Sequence, residues 1–277
     1  MSTSVRNIDQ QFWINPLIPH LTVRRTANST QGYKEHSHNE LSIGIIESGS
    51  TCLTLQGRQI ILSKGDTILI APDVVHACNP IAEGSRSYYM LYVDKQWCCN
   101  VLSTLFERHV EQFVIEQELV SDPKSSATLA ELLFKLIEDE SPNTITAVNA
   151  LLLTLVSRFC TPCDIDTESD ELAQTIQNRL LEDITEPPSI QEIAEDVSRP
   201  AESLIRGFKK RFGITPKSFL NNHRIEKAKL LLKSGMSIVD VAHEVGFSDQ
   251  SQFHKAFVAY TASTPRQYQS TSVNFRQ

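Results

Sequence analysis

Apolar and polar positions change period along the chain. Between residues 20 and 95 the runs are short and β-rich: 51–55, 58–62 and 67–70 are separated by Gln56-Gly57 and by Ser63-Lys64-Gly65-Asp66. This punctuation predicts a meander of hairpins in a sandwich or barrel. From residue 97 the period lengthens. Leu129, Leu132, Leu133, Leu136 and Ile137 mark one amphipathic helix, Ser141-Pro142-Asn143 breaks it, and Val148, Leu151, Leu152, Leu155, Val156 and Phe159 mark a second. The pair predicts a helical hairpin that packs on the barrel or on a second subunit. The polar, acidic stretch from Thr161 to Asp170 contains proline and is the candidate linker.

After it, helix signals crowd together. Ser189 and Glu192 form a capping box behind Pro187-Pro188. Thr215-Pro216 opens a long helix over 217–233 with Phe219, Leu220, Ile225, Ala228, Leu231 and Leu232 as its apolar stripe. Ser237 opens a short helix carrying Ile238, Val241, Ala242 and Val245; Gly246 ends it and Phe247 fills the corner. Ser248 is expected to cap the next helix, which Phe253 and Phe257 anchor. Its other side chains, Asp249, Gln250, Ser251, Gln252, His254 and Lys255, carry hydrogen-bonding groups. That is a helix-turn-helix with a polar N-terminal face on its second helix. Glutamine pairs bidentately with adenine, lysine reaches guanine or phosphate, and serine or histidine contacts base edges or backbone.

The same layout stands upstream. A short helix carries Ile193, Ala194 and Val197, and after a turn a second carries Leu204 and Phe208 with Ser203, Arg206, Lys209, Lys210 and Arg211. Ala194 precedes Phe208 by fourteen residues and Ala242 precedes Phe257 by fifteen, and each unit ends in Thr-Pro. A stiff helix between the units would set two reading helices on one side of a duplex, whose successive major grooves lie roughly 34 Å apart.

Composition constrains the partners. A chain of 277 residues with 40% apolar and 21% charged residues has room for two globular domains. The longest strongly apolar run, 150–156, is far short of a membrane span, and the first residues lack the apolar core of a signal peptide. Six cysteines are no disulfide framework at this length, and a cytoplasmic location with free thiols is expected. The net charge of −7 disfavours a nucleic-acid partner until the chain is divided. Residues 1–171 hold 12 Lys+Arg against 22 Asp+Glu, whereas 172–277 hold 14 against 11. Only the C-terminal part suits a polyanion.

Together these residues resemble the AraC/XylS family of transcription regulators. The resemblance rests on Ile193-Ala194, Leu204, Arg206, Phe208-Lys209, Gly213, Pro216, Arg224, Ala228, Leu231-Leu232, Ile238, Val241-Ala242, Gly246-Phe247, Ser248, Gln250-Ser251, Phe253, Phe257 and Pro265. It implies a seven-helix domain with two helix-turn-helix motifs that bind double-stranded DNA. By position, Gln250, Ser251, Gln252, His254 and Lys255 would face DNA in the second unit. Glu202, Ser203, Ile205 and Arg206 hold the corresponding places in the first. There Ser198-Arg199-Pro200 replaces the family's glycine and serine cap, with Pro200 expected as the first helical residue and Arg199 or Ser198 as its cap. Glu202 would repel phosphate and Ile205 could only meet a thymine methyl, so Arg206, Lys209 and Lys210 are the expected contacts of the first helix.

The stretches 36–50 and 65–80 look like the two motifs of a cupin barrel, the usual sensor of this family. On a strand, His36, His38 and Glu40 would alternate onto one face, with His76 on a facing strand. Three imidazoles and a carboxylate suit zinc, iron or manganese, although family sensors often keep the barrel without the metal. The same histidines could instead satisfy one another or a backbone carbonyl in a small-ligand pocket. Arg24, Tyr33, Tyr88 and Tyr92 are candidate pocket walls, and Phe12, Trp13 and Ile14 a candidate arm over the ligand.

The expected fold class is α+β: a cupin-like barrel with a helical hairpin, then an all-α domain with two helix-turn-helix motifs. The domains are 1–160 (barrel about 20–95, helices about 97–160), a linker over 161–171 and a DNA-binding domain over 172–277. The function expected is that of a sequence-specific, non-enzymatic regulator controlled by a small-molecule effector in the barrel. A homodimer through 127–160 would engage a bipartite site. Activation, the commoner mode in the family, would make RNA polymerase a partner. The competing class is a metal-dependent cupin enzyme with an appended nucleic-acid-binding module.

Overall fold

The computed structural model describes residues 9–82, 84–139, 141–163 and 171–273. Eight strands come first: β1 (Asp9–Ile14), β2 (Leu21–Ser29), β3 (Leu41–Ser48), β4 (Ser50–Leu55), β5 (Arg58–Ser63), β6 (Asp66–Ile70), β7 (His76–Pro80) and β8 (Arg86–Val93). Then follow α1 (Lys95–Leu105), β9 (Gln112–Ile115), β10 (Leu119–Ser121), α2 (Pro123–Glu138), α3 (Pro142–Phe159) and β11 (Cys160–Cys163). Gln56 and Gly57 both take positive φ, 48° and 78°. A two-residue type I′ turn demands that pair of conformations, so β4 runs straight back into β5 with Leu55 opposite Arg58.

One antiparallel sheet has the order β1-β2-β8-β3-β6-β10, and a smaller one, β5-β4-β7, closes the barrel against it. Period-two alternation sorts the side chains of the larger sheet. Leu21, Val23, Leu41, Ile43, Ile45, Tyr89, Leu91 and Val93 share a core with α1, α2 and α3. The residues between them, including Arg24, Gly44, Ile46, Tyr88, Met90 and Tyr92, line a cavity inside the barrel. Both helices of the hairpin start at proline behind an oxygen cap: Asp122 accepts from the Lys124 and Ser125 amides, and Ser141 from Thr144.

Two expectations change in this region. β1 is no arm: it pairs with β2 along its length, burying Trp13 in the helix-side core and leaving only Phe12 to line the cavity. The start of the expected linker is a strand, because β9 offers an open edge that Cys160–Cys163 completes, Thr161 opposite Val114. Residues 164–170 of that linker lie outside the described residues.

The C-terminal helices are α4 (Glu171–Glu182), α5 (Ile190–Asp196), α6 (Ala201–Phe212), α7 (Pro216–Lys233), α8 (Ile238–Glu244), α9 (Gln250–Thr261) and α10 (Pro265–Val273). They build two small cores. Ile176, Leu180, Ile193, Leu204, Phe208 and Phe219 form the first; Ile225, Ala228, Leu232, Val241, Val245, Phe253, Phe257 and Tyr260 form the second. α7 contributes Phe219 to one and Ile225, Ala228 and Leu232 to the other, so it is the spine that fixes the two units together.

Both turns differ from expectation in their caps. Asp249, not Ser248, caps α9: its carboxylate accepts the Gln252 amide at 2.7 Å, where a negative charge also complements the helix N-terminus. Pro200 occupies the cap position of α6 without a side-chain bond, and Ala201 is the first helical residue. Its turn is one residue shorter. Ser198 takes φ 51° where the second unit has Gly246 at φ 80°. The Ser198 and Arg199 amides bond Glu195 and Ala194 just as those of Gly246 and Phe247 bond His243 and Ala242.

The C-terminal helical domain sits on the mouth of the barrel. Asn222 of α7 donates to the Ser37 carbonyl at 3.0 Å and accepts from the Ser37 amide at 3.3 Å. The Lys34 amide donates to the Ala259 carbonyl of α9 at 2.9 Å, and Phe12 meets Tyr268 of α10 edge-on at 5.4 Å.

Candidate DNA interface and ligand cavity

With Phe253 and Phe257 buried at the foot of α9, the fourfold spacing of the helix turns the remaining N-terminal side chains outward. Gln250, Ser251, Gln252, His254 and Lys255 are all exposed. On α6, Leu204 and Phe208 play the anchoring part; Glu202, Ser203, Arg206, Lys209 and Lys210 are exposed and Ile205 is half-buried. Arg206, Lys209, Lys210 and Lys255 have no carboxylate partner among the described residues. Those cations are free to meet phosphate.

The cavity collects the other predicted residues. Arg24, Tyr33, His36, His38, Glu40, His76, Tyr88 and Tyr92 all line it. The route differs from the expected one for three of them. His36, His38 and Glu40 precede β3 instead of lying on a strand. A single two-bond bridge between His36 and His76, 2.8 and 3.0 Å, holds the segment in extended register. Glu40 groups with His38 and Glu226, not with the three histidines.

The imidazoles stand close, with ring centroids 4.6 Å apart for His36–His76, 4.7 Å for His36–His38 and 5.3 Å for His38–His76. Nδ1 of His36 lies 2.7 Å from the Lys34 carbonyl, and Nδ1 of His76 lies 2.9 Å from the Val74 carbonyl. A carbonyl only accepts, so each Nδ1 carries the proton and each Nε2 keeps its lone pair. Burial, reinforced by the neighbouring histidines, drives His36 well below the usual imidazole range, and burial with His38 takes His76 down to about 3. Nδ1 of His38 is buried without a hydrogen-bond partner among the described residues, 3.4 Å from the Glu226 carboxylate of α7. His36 and His76 thus each keep an Nε2 lone pair with Nδ1 fixed, the form in which histidine ligates divalent metals. One ring nitrogen from each of the three histidines lies within 4.8 Å of the others, so these residues fit such an ion.

Deeper in, Arg24 is 6% exposed and donates to the Tyr33 hydroxyl at 2.8 Å, the Tyr88 hydroxyl at 3.4 Å and the Thr261 carbonyl of α9 at 3.3 Å. Its Nε has no partner. Tyr33 and Tyr88 bond each other at 2.6 Å. Arg86, 1% exposed, donates to the carbonyls of Ser29, Gln31 and Cys78. Ile46, Leu62, Ile68 and Met90 supply apolar wall.

Sequence reasoning missed the cavity's lid. Lys229 and Lys233 of α7, Tyr260 and Thr261 of α9, and Tyr268 of α10 all line it. Lys229 is held by Glu226 at 2.6 Å. Burial works against both charges, yet their attraction wins: it raises the Lys229 pKa and, with His38, holds Glu226 down at about 2. Burial, then the neighbouring Lys229, lowers that of Lys233. A signal existed: Asn222, Glu226, Lys229 and Lys233 recur at intervals of four, three and four, one polar stripe on a helix whose other faces enter two cores.

Residues 12–156 match the AraC-like ligand binding domain and residues 179–271 a helix-turn-helix domain. The chain is 28% identical over 248 residues to the uncharacterized HTH-type transcriptional regulator YbfI of Bacillus subtilis, across 85% of this chain and 87% of that one. It is 24% identical over 254 residues to the lactose operon transcription activator of Staphylococcus xylosus, across 89% and 90%. The crystal structure of ToxT from Vibrio cholerae bound to (E)-4-(8-methylnaphthalen-1-yl)but-3-enoic acid shares the fold, with a TM-score of 0.55 at 14% identity over 96% of this chain and 99% of that one.

Proposed function

The chain belongs to the AraC family of transcription regulators, and from that premise we propose that it is a dimeric, cytoplasmic activator controlled by an amphipathic organic anion held between barrel and DNA-binding domain. A ligand-binding domain joined to a helix-turn-helix domain makes it a DNA-binding regulator. The effector class follows from the charges around the cavity. Arg24, Arg86, Lys229 and Lys233 line it against Glu40, with Glu226 paired to Lys229, and the buried imidazoles of His36 and His76 add no charge. The surplus is positive, and the apolar wall calls for a hydrocarbon body. The observation that carries the reading is Arg24, a buried guanidinium with, among the described residues, an unpartnered Nε and no carboxylate beside it. Buried cations of this kind are otherwise paired. The acid in the ToxT crystal structure is in the same chemical class.

Dimerisation is supported by Phe134 on α2 and Leu153 on α3, 49% and 39% exposed on the outer side of the hairpin. The activating mode, which would bring RNA polymerase as a partner, is that of the Staphylococcus xylosus relative by its name. Free cysteines and a nucleic-acid partner accord with the cytoplasm. The regulator is not an enzyme on this reading.

Selection of binding sites from a random duplex pool, with and without a panel of long-chain acids and their neutral alcohols, tests it. A bipartite consensus whose affinity shifts with acids and not with alcohols is the expected result, and Gln250→Ala should relax base preference at one position. Equal affinity for every sequence, or equal response to acid and alcohol, would overturn it.

A further inference from the structure

The three histidines at the cavity mouth remain unused by an organic effector. We propose that His36, His38 and His76 bind a divalent transition-metal ion, and that Glu226 of α7, as the outer partner of His38, makes that ion a bolt between sensor and DNA-binding domain. One ligand atom from each histidine lies within 4.8 Å of the other two, and all three side chains are buried. Nitrogens around a tetrahedral zinc stand roughly 3.4 Å apart, given bonds of about 2.0–2.1 Å. Closing the set therefore takes side-chain shifts of about an ångström.

The orientation of the rings is the stronger argument. A histidine that ligates through one nitrogen donates its other N–H to an oxygen, which fixes tautomer and plane. His36 and His76 already do so toward the Lys34 and Val74 carbonyls. His38 faces a carboxylate in the same way, but at 3.4 Å and with Nδ1 still unpartnered. That leaves one of the three outer bonds unmade, and it is the one that crosses between domains. With the far nitrogen of His38 on an ion, its Nδ1–H would be the donor that Glu226 is placed to accept. The nearby Lys229 does not veto a cation, because Glu226 at 2.6 Å offsets it. The bolt rests on the regulator reading; the ion site does not.

Cobalt(II) serves as the probe. The full chain, stripped with chelator, is titrated while its visible ligand-field bands are followed, and zinc is used to displace it. One ion per chain is expected, with the bands lost in His76→Gln and in His36→Gln, each checked for native circular dichroism. Glu226→Gln should retain the site with about 10–100-fold weaker affinity, the usual effect of removing an outer partner. Affinity for the selected duplex, measured with and without zinc, should change in the parent chain and change less in Glu226→Gln. Absence of stoichiometric binding, or binding that survives both histidine variants, overturns the site. Equal metal affinity in Glu226→Gln, or duplex affinity indifferent to zinc, overturns the bolt. Sequence-specific binding by the stripped chain, read in the same assay, keeps the regulator reading separate from either failure.

Discussion

Replacing Arg24 by Met separates a structural arginine from a ligand-binding one. The side chain is of similar length and apolar, and the cavity wall around it contains Met90 already. What is lost can be followed bond by bond. Tyr33 and Tyr88 keep their mutual hydrogen bond at 2.6 Å, so neither hydroxyl is orphaned. The Thr261 carbonyl loses the donor at 3.3 Å, a cost of about 1–3 kcal/mol for a buried acceptor. Contacts of the guanidinium with the rings of Tyr33, Tyr88 and Tyr92, at 5.7–5.8 Å, add about 1 kcal/mol. Against this stands the desolvation of an unpaired buried cation, several kcal/mol. The two sides nearly cancel, so the stability of the sensor should move by less than about 2 kcal/mol. An acid that loses two charge-assisted hydrogen bonds at about 1.5–3 kcal/mol each should bind at least about 100-fold more weakly. Both tryptophans, Trp13 and Trp97, lie in the sensor, so their fluorescence in urea reports its unfolding alone, while calorimetry reports acid binding. A loss above about 3 kcal/mol with acid affinity unchanged would mean that Arg24 is a structural cation, and would refute the reasoning.

Phe257 is fully buried in the second core, so Phe257→Ala should cost about 3–5 kcal/mol and abolish duplex binding, as seen in thermal melts followed at 222 nm. Asp249→Ala removes the cap on Gln252 and should cost about 1 kcal/mol without changing the fold, whereas Ser248→Ala should cost less; urea midpoints decide between them. His20, stacked on Trp97 at 4.2 Å, has its pKa lowered by burial, partly offset by Asn149 and Asp94. The neutral ring is favoured in the folded state, so this contribution is full above the ordinary histidine value and is lost as pH falls. His20→Gln should flatten the fall in the urea midpoint from pH 7.5 to 5. Lysines in place of Phe134 and Leu153 together should shift sedimentation equilibrium from dimer to monomer at unchanged helicity.

The two domains were legible because their signals are local. A capping box at Ser189 and Glu192, proline at the first position of α7 and a left-handed Gly246 each act within one turn of chain. The caps that were misjudged show where local rules compete. Ser248 and Asp249 are both good capping residues, and the first residue of the helix decides between them. That residue depends on how Phe253 and Phe257 dock. Ser198 ends α5 at φ 51°, a conformation that costs a residue with a Cβ roughly 1–2 kcal/mol, so its residue type gave no signal of the turn. The cavity wall was partly legible, since Arg24, Tyr88 and Tyr92 alternate with core residues on β2 and β8. Its lid was not, because Lys229, Lys233 and Thr261 reach the barrel only through the packing of one domain on the other. Asn222, Glu226, Lys229 and Lys233 form a stripe, but nothing within α7 says which surface that stripe meets.

On the proposed reading, that packing is the route from effector to DNA and also bounds the effect. The last carbonyls of a helix have no partner within it, and at the end of α9 the sensor supplies donors for two, the Lys34 amide for Ala259 and Arg24 for Thr261 at 3.3 Å, and for the capping residue Ala262 through the Gln10 side chain at 3.2 Å. The C-terminal end of α9 is thus capped by the barrel. Arg24 is the one donor of the three that also lines the cavity. An acid that takes its guanidinium therefore competes with the cap. An effector shifts an equilibrium only by its differential affinity for the two states, and through this single bond the difference is about 1.5–3 kcal/mol. Duplex affinity should then change by roughly 10–150-fold between acid-free and saturated protein. A much larger change would require the acid to release the Asn222–Ser37 pair or the Glu226 contact as well. In that case Asn222→Ala would mimic saturation in the absence of acid; if release runs through Arg24 alone, it would not.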